Sequence, residues 1–184
     1  MDSLVRKAFF TGLVCLAVAP SLYAQTKEYR DRRFGVSVSL PVGWKWRGPK
    51  RWGDQESTTI FKEPRTHPEL KLYVKLLRTP ENLSPEEMEK KLLSEAEYKV
   101  GQRRHEGLKD YRLREGTYQR SLVRGLPALS WVCEFTHRGE NMVEYLTRIR
   151  NVKSNALFFA FLPAGELEDF KKRVDPVIDR SEIP

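Results

Sequence analysis

Residues 156–162 are apolar at every position, and they constrain the fold more than any other part of the chain. The segment has the length of a strand, and a strand without a polar face must be covered on both sides. One cover follows directly, because apolar residues keep helical spacing over residues 167–178. Pro176 interrupts that helix and predicts a kink or break near Asp175. The pattern predicts a layered sandwich with residues 156–162 in its middle.

Alternation of apolar and polar residues predicts several further strands. They cover residues 36–40, 58–62, 70–76, 111–119, 128–137 and 141–151. A helix begins at Pro85, because Ser84 provides a cap and Glu87 stands three residues after it. We expect this helix to end near residue 101 and to pack one apolar face on the sheet. No linker or repeat divides residues 25–184, so the sequence predicts a single domain there.

The first 24 residues carry the pattern of a secretory signal peptide. Arg6 and Lys7 precede an apolar run over residues 8–19, and Ala24 lies at the expected cleavage position. The run is too short to cross a membrane, which takes about 20 apolar residues. A buried core helix is the alternative interpretation. We expect cleavage near Ala24, export to the periplasm or the extracellular space, and no membrane span in the mature chain.

The chain is basic both before and after this cleavage. Its 184 residues include 33 Lys and Arg against 25 Asp and Glu, which gives a formal charge of +8. Loss of Asp2, Arg6 and Lys7 with residues 1–24 leaves 31 cations, 24 anions and a charge of +7. Export removes this charge from the cytoplasm and no nucleic-acid motif accompanies it, so nucleic acid is not a predicted partner. Cys133 is then the one remaining cysteine, which excludes an internal disulfide.

Three parts of the sequence form a recognisable set. Residues 34–44 run from a Gly-containing strand into a Pro-x-Gly-Trp turn, residues 125–128 suit a second hairpin, and residues 157–183 suit a closing strand and helix. In this order they resemble PsbP-like domains. Glu182 stands where many relatives have an aromatic residue. The resemblance implies an α+β fold, an antiparallel β-sheet with helices on both faces (an α/β/α sandwich). It also implies a tendency to bind other proteins, without a shared chemistry.

Signatures of catalysis and metal binding are missing from the sequence. It contains no G-x-S-x-G, P-loop, H-E-x-x-H or C-x-x-C motif. Cys133 and His137 would stand about 13 Å apart on a strand, too far to share a zinc ion, so Cys133 is interpreted as a buried thiol. Glu134 and Glu144 could approach each other across a hairpin as paired acids. We predict no catalytic residue, no metal ligand and no cofactor, with an unrecognised hydrolase or metal enzyme as the less favoured alternative.

One short cluster points to binding. Residues 44–53 hold three tryptophans and four cations, in a stretch that Gly48 and Pro49 keep partly irregular. Aromatic residues together with Arg are typical of binding hot spots and of sites for anionic ligands. The candidate binding patch consists of Arg47, Lys50, Arg51 and Trp52. A solvated loop is the alternative interpretation.

These observations favour a non-catalytic exported binding or assembly module. We expect it to act by protein–protein interaction with another protein of the cell envelope. The alternative is a basic module that attaches to an anionic envelope polymer or lipid surface through the cluster and the charge of +7.

Overall fold

The fold is described from a computed structural model over residues 26–63, 70–78, 83–108, 110–152 and 154–184. The predicted signal peptide lies outside these residues. The elements follow in chain order as β1 Thr26–Asp31, β2 Val36–Pro41, β3 Lys45–Trp52, β4 Glu56–Glu63, β5 Leu70–Arg78, α1 Pro85–His105, β6 Arg112–Leu113, β7 Gln119–Val123, β8 Leu126–His137, β9 Glu140–Arg150, β10 Ser154–Pro163 and α2 Leu167–Asp179.

Eight strands form one antiparallel sheet in the order β3-β4-β5-β10-β9-β8-β6, and β7 also pairs with β8. The apolar strand β10 lies between β5 and β9, where its backbone is paired on both sides. β1 and β2 form a separate antiparallel hairpin. The apolar pattern of residues 156–162 predicted a central strand, and this prediction is therefore confirmed.

The two helices lie on opposite sides of the large sheet. On the α2 side, Phe170 and Val174 pack with strand residues such as Val74 and Phe158, and the β1–β2 hairpin completes this core. On the α1 side, Leu92 and Ala96 pack against the sheet in a second cluster, whose strand members include Leu129, Trp131 and Leu146. The predicted α+β fold, with an antiparallel sheet and helices on both faces, is confirmed.

Two elements differ from their predictions. The strand predicted over residues 111–119 is interrupted after Leu113, because the chain turns at Gly116, whose φ of +71° favours glycine. The helix α2 continues through Pro176 without the predicted break. Pro176 is exposed, whereas Val174 and Val177 on either side are buried, so the packing of this face outweighs the missing backbone hydrogen bond.

Helix α1 is anchored to the sheet by ionic contacts in addition to its apolar stripe. It begins with the predicted capping box, in which the Glu87 amide donates to Ser84 and the Ser84 amide donates to Glu87. Further along, the carboxylate of Glu95 accepts from Arg148 and, at 2.7 Å, from Arg150. Both arginines belong to β9, and Arg150 is only 1% exposed. Glu95 therefore compensates two buried positive charges and fixes α1 over this strand.

We expect Glu95→Ala to lower the free energy of unfolding by about 3 kcal/mol, because it removes the carboxylate that accepts from the buried Arg148 and Arg150 guanidinium groups. Glu97→Ala removes an exposed carboxylate from the same helix and should change it by about 0.5 kcal/mol or less. Urea unfolding followed by circular dichroism measures both. Equal losses for the two variants would show that the Glu95 contacts do not anchor α1.

Candidate functional site

The predicted binding patch lies on β3, the edge strand of the large sheet. The segment is a strand and not the solvated loop of the alternative interpretation, and the expected irregularity is a β-bulge between Arg47 and Lys50. Gly48 makes the bulge possible, because its φ is +118° and an added Cβ would meet the carbonyl oxygen of Thr58 at 3.0 Å. The side chains of Arg47, Lys50 and Arg51 are exposed.

The register between β3 and β4 divides the four patch residues between the two sides of the sheet. Arg47 pairs with Ile60, Lys50 with Thr58, and Trp52 with Glu56, and these residues lie on the α1 side. Arg51 pairs with the buried Ser57 on the α2 side. The ammonium group of Lys50 lies 4.1 Å from the centre of the Trp52 ring, and 53% of Trp52 is exposed. Three of the four predicted residues therefore share one surface.

This surface continues across half of the sheet, because α1 packs mainly on β8 and β9. We call the remaining α1-side surface of β3, β4, β5 and β10 the open half-face. Its apolar residues include Ile60, Tyr73, Phe159 and Phe161, and its cations are Lys45, Arg47, Lys50, Lys62, Lys71 and Lys75. Phe161 is 37% exposed and Phe159 is half-buried. The expectation that both faces of β10 are fully covered is therefore wrong on this side.

The residues of the open half-face form rows across the strands. In the middle row, Arg47 pairs with Ile60, Ile60 with Tyr73, and Tyr73 with Phe159. The row on one side contains Lys50, Thr58, Lys75 and Leu157. The row on the other side contains Lys45, Lys62 and Lys71. The middle row is thus apolar from β4 to β10, with Arg47 at its β3 end, and it runs between two rows that carry cations.

Three rings, those of Tyr73, Phe159 and Phe161, contact one another on this surface. The rings of Tyr73 and Phe159 are stacked with their centres 5.0 Å apart. Phe161 meets both rings edge-on, at 6.4 Å and 6.0 Å, and contacts Phe135 of β8 in the same way. Such pairs add stability beyond the area they bury. Together Tyr73, Phe159 and Phe161 form a preformed aromatic floor.

Helix α1 borders the floor with Arg103, whose charge is balanced by Glu144 and Glu106. The guanidinium carbon of Arg103 lies 5.1 Å from the centre of the Phe161 ring. The same group donates to Glu144 at 2.9 Å, and the Tyr111 hydroxyl donates to Glu144 at 2.6 Å, so this fully buried carboxylate is compensated. Burial and the neighbouring Arg103 lower the pKa of Lys99, which lies within electrostatic range of Lys75.

Negative charge is scarce on the open half-face. Within the described strands β3, β4, β5 and β10, Glu56 is the only carboxylate directed to this side, and it pairs with Lys75 at 2.8 Å. Lys45, Arg47 and Lys50 make no ion pair within the described residues. The surface therefore offers aromatic rings and positive charges, which bind anionic and apolar groups together.

Tyr73, Phe159 and Phe161 were not predicted as site residues. Each stands in a strand pattern typical of a structural position, and the pattern does not show which strands become neighbours. The outward alternation of Lys71, Tyr73 and Lys75 is the local signal. It gains meaning only once β5 is known to pair with β10.

The other candidate residues are separated by the fold. Cys133 pairs with Glu144, and Glu134 pairs with Val143, so the two glutamates lie on opposite sides of the sheet. Paired acids at this place are therefore excluded. Glu134 instead meets Arg112 and Arg114. Among the residues that the structure describes, no three or more His, Cys, Asp and Glu side chains are grouped to hold a metal ion.

A polar cleft of about 420 Å³ lies on the α2 side, between β7, β8, β9 and α2. In it the Tyr145 hydroxyl donates to Asp175 at 2.7 Å, and Thr147 and Ser130 extend the hydrogen-bonded chain. Burial raises the pKa of the Asp175 carboxyl. The residues that line the cleft include neither His nor Cys. It lies on the side of the sheet away from the open half-face.

Comparison with known proteins tests the fold. The sequence matches no protein-family model, and no curated protein matches it. Among solved structures, cyanobacterial PsbP from Synechocystis sp. PCC 6803 is similar over 88% of this chain and 94% of its own, with 12% identity and a TM-score of 0.63. The chain has a PsbP-like fold. The resemblance found in residues 34–44, 125–128 and 157–183 is thereby confirmed at the level of the fold.

Two further structures share this PsbP-like fold. LpqN of Mycobacterium tuberculosis, a protein involved in cell envelope biogenesis, is 10% identical with a TM-score of 0.59, over 87% of this chain and 91% of its own. A Pseudomonas aeruginosa protein of unknown function is 13% identical with a TM-score of 0.50, over 87% of this chain and 97% of its own. In the described part of this PsbP-like chain, no helix combines the length and the apolar character needed to cross a membrane.

The thiol of Cys133 provides a test of the core beneath α1. Burial raises its pKa to about 11, so the thiolate fraction at pH 8 should be about 100-fold lower than at the ordinary value near 9. We expect the folded protein to react with a disulfide reagent at pH 8 at least about 100-fold more slowly than the protein in guanidinium chloride. A Cys133→Ala, Leu122→Cys variant places a thiol at an exposed position and should react fast while folded. Fast reaction of folded Cys133 would contradict its burial.

Proposed function

We propose that the protein is an exported, non-catalytic binding module of the cell envelope that binds another protein through the open half-face. The observation that carries this proposal is the partly exposed aromatic floor of Tyr73, Phe159 and Phe161 beside α1. Monomeric proteins seldom leave large contiguous apolar patches uncovered, and aromatic and Arg side chains dominate binding hot spots. A partner that covers the floor would complete the α1 side of the sandwich.

The chemistry of the open half-face supports binding over catalysis. Its groups are aromatic rings, ammonium groups and guanidinium groups, whereas nucleophilic catalysis uses a nucleophile held beside a base. The envelope location is supported by the signal-peptide pattern of residues 1–24 and by the PsbP-like fold that the chain shares with LpqN, a protein of cell envelope biogenesis. Removal of the signal peptide near Ala24 remains part of the proposal.

Site-specific crosslinking tests whether the open half-face meets a partner. A photoreactive phenylalanine analogue in place of Phe161 should give one defined protein adduct in intact cells. The same analogue in place of Tyr98, which is 73% exposed on α1, should give at least about tenfold less of that adduct, because binding surfaces are localised. Tyr73→Asp should also reduce the adduct from position 161. Equal adducts from positions 161 and 98 would contradict the proposal.

A second candidate function is attachment to an anionic envelope polymer or lipid surface. It is favoured by the exposed cations Arg47, Lys50 and Arg51 of β3, which make no ion pair within the described residues. Because Arg51 lies on the α2 side, these charges spread around the edge of the sheet, which suits a diffuse anionic surface.

Salt dependence distinguishes this second function. If the protein attaches to an anionic surface, the triple variant of Arg47, Lys50 and Arg51 to Ala should be retained about tenfold less on anionic vesicles or polymers at about 0.05 M salt. Retention of the wild-type protein should fall steeply by about 0.3 M salt. The triple variant of Arg32, Lys90 and Arg180 to Ala loses the same charge at exposed positions elsewhere and serves as the control. Equal retention of both variants would reject a role for the β3 cations.

A further inference from the structure

We infer that the partner binds the open half-face with an acidic amphipathic helix. The inference rests on the proposed function and adds the chemistry of the binding segment. Three properties of the surface carry it: the order of its rows, the absence of free backbone groups on a sheet face, and the sign of its charge.

The order of the rows sets the pattern that a ligand must match. Strand residues rise about 3.3 Å each, so the row of Lys50 and Lys75 lies about 13 Å from the row of Lys45 and Lys62, with Ile60 and Tyr73 midway. An α-helix with its side chains is about 10–12 Å wide. A helix along the middle row therefore places one apolar stripe on the rings and its two flanks over the cations.

The backbone of the bound segment must satisfy its own hydrogen bonds. A sheet face offers side chains alone, and buried amide and carbonyl groups without partners are costly. A helix satisfies them internally, whereas an extended peptide needs a free sheet edge. The edge at β3 is protected against such pairing by its bulge, by Pro49 and by exposed Lys and Arg side chains.

The open half-face has room for about two and a half turns of such a helix. It extends from β10 to β3, which is three strand spacings, or about 14 Å. At a rise of about 1.5 Å per residue, about nine residues of a helix along the middle row lie over the sheet. One end of the bound helix then faces α1, and the other end passes over the edge strand β3.

The charge of the surface selects acidic flanks. Lys45 and Lys50 belong to opposite rows and make no ion pair within the described residues. Glu56 is the opposing carboxylate of the described strands, and Lys75 already pairs with it. A protein segment fits better than a lipid surface, because the rings form a flat, half-buried floor and do not project as a bilayer-inserting group would.

The test uses two synthetic peptides of about 18 residues with identical composition. The striped peptide carries Leu and Phe at positions i, i+3, i+4 and i+7 with Glu on both flanks, and the permuted peptide has the same residues without a stripe. Fluorescence anisotropy with the purified protein should give a micromolar Kd for the striped peptide. The permuted peptide should bind at least about tenfold more weakly, a difference of about 1.4 kcal/mol.

Charge reversals on the protein test the two rows separately. Lys45→Glu and Lys50→Glu should each weaken binding of the striped peptide about tenfold, because each reversal places a negative charge opposite one acidic flank of the peptide. Lys90→Glu is the matched control, since Lys90 is exposed near the start of α1. All three substitutions lie on the surface and leave the core intact, which circular dichroism can verify.

Three results would overturn the inference: equal binding of the two peptides, equal effects of the three reversals, or displacement of the striped peptide by phosphatidylglycerol vesicles at lower concentration than by unlabelled peptide. The last result would assign the surface to lipid. An adduct at position 161 without binding of the striped peptide would reject the acidic helix and leave the proposed function standing. Equal adducts at positions 161 and 98 would reject the proposed function itself.

Discussion

The strand β10 has no polar face, and most of the structure follows from the need to cover it. Its alternate residues Ala156, Phe158 and Ala160 are buried under α2 and the β1–β2 hairpin. On the other side Leu157 is buried, whereas Phe159 and Phe161 are covered only in part. Burial of a phenylalanine side chain is worth about 1.5–3 kcal/mol. The apolar character of β10 makes it central. Because Phe159 and Phe161 are only partly covered, a partner that buries them would gain free energy on this half of the α1 side.

Polar contacts decide which half stays open. Glu95 holds α1 on the arginines of β9, and Arg103 reaches the buried Glu144 beside Tyr111. Both contacts place the helix over β8 and β9, away from β5 and β4. Because they compensate buried charges, a shift of α1 toward β10 would expose each of them to a desolvation cost of several kcal/mol. The contacts that hold α1 over β8 and β9 therefore also leave the open half-face uncovered.

Periodic segments were predictable from the sequence, and segments held by tertiary contacts were not. β5, β8, β10 and the start of α1 follow from local alternation or capping, whereas β1 reads as polar and is held by the buried Tyr29 and Asp31. The break expected near Asp175 does not occur, because packing of the buried face outweighs a single lost hydrogen bond. The aromatic floor was missed because it needs the pairing of Tyr73 with Phe159, which are far apart in the chain. Even the predicted patch was divided, since alternation along β3 sends Arg51 to the other side.

Along β5, residues that pack in the core alternate with residues that form the open half-face. Leu72, Val74 and Leu76 belong to the core, while Lys71, Tyr73 and Lys75 form part of the open surface. Substitution at the second set leaves the first set in place, so the ligand preference of such a sheet can change without loss of its architecture. This separation offers a physical reason why chains with 10–13% identity retain the same fold. In β5, one set of alternate residues maintains the fold, and the other set is free to change the surface.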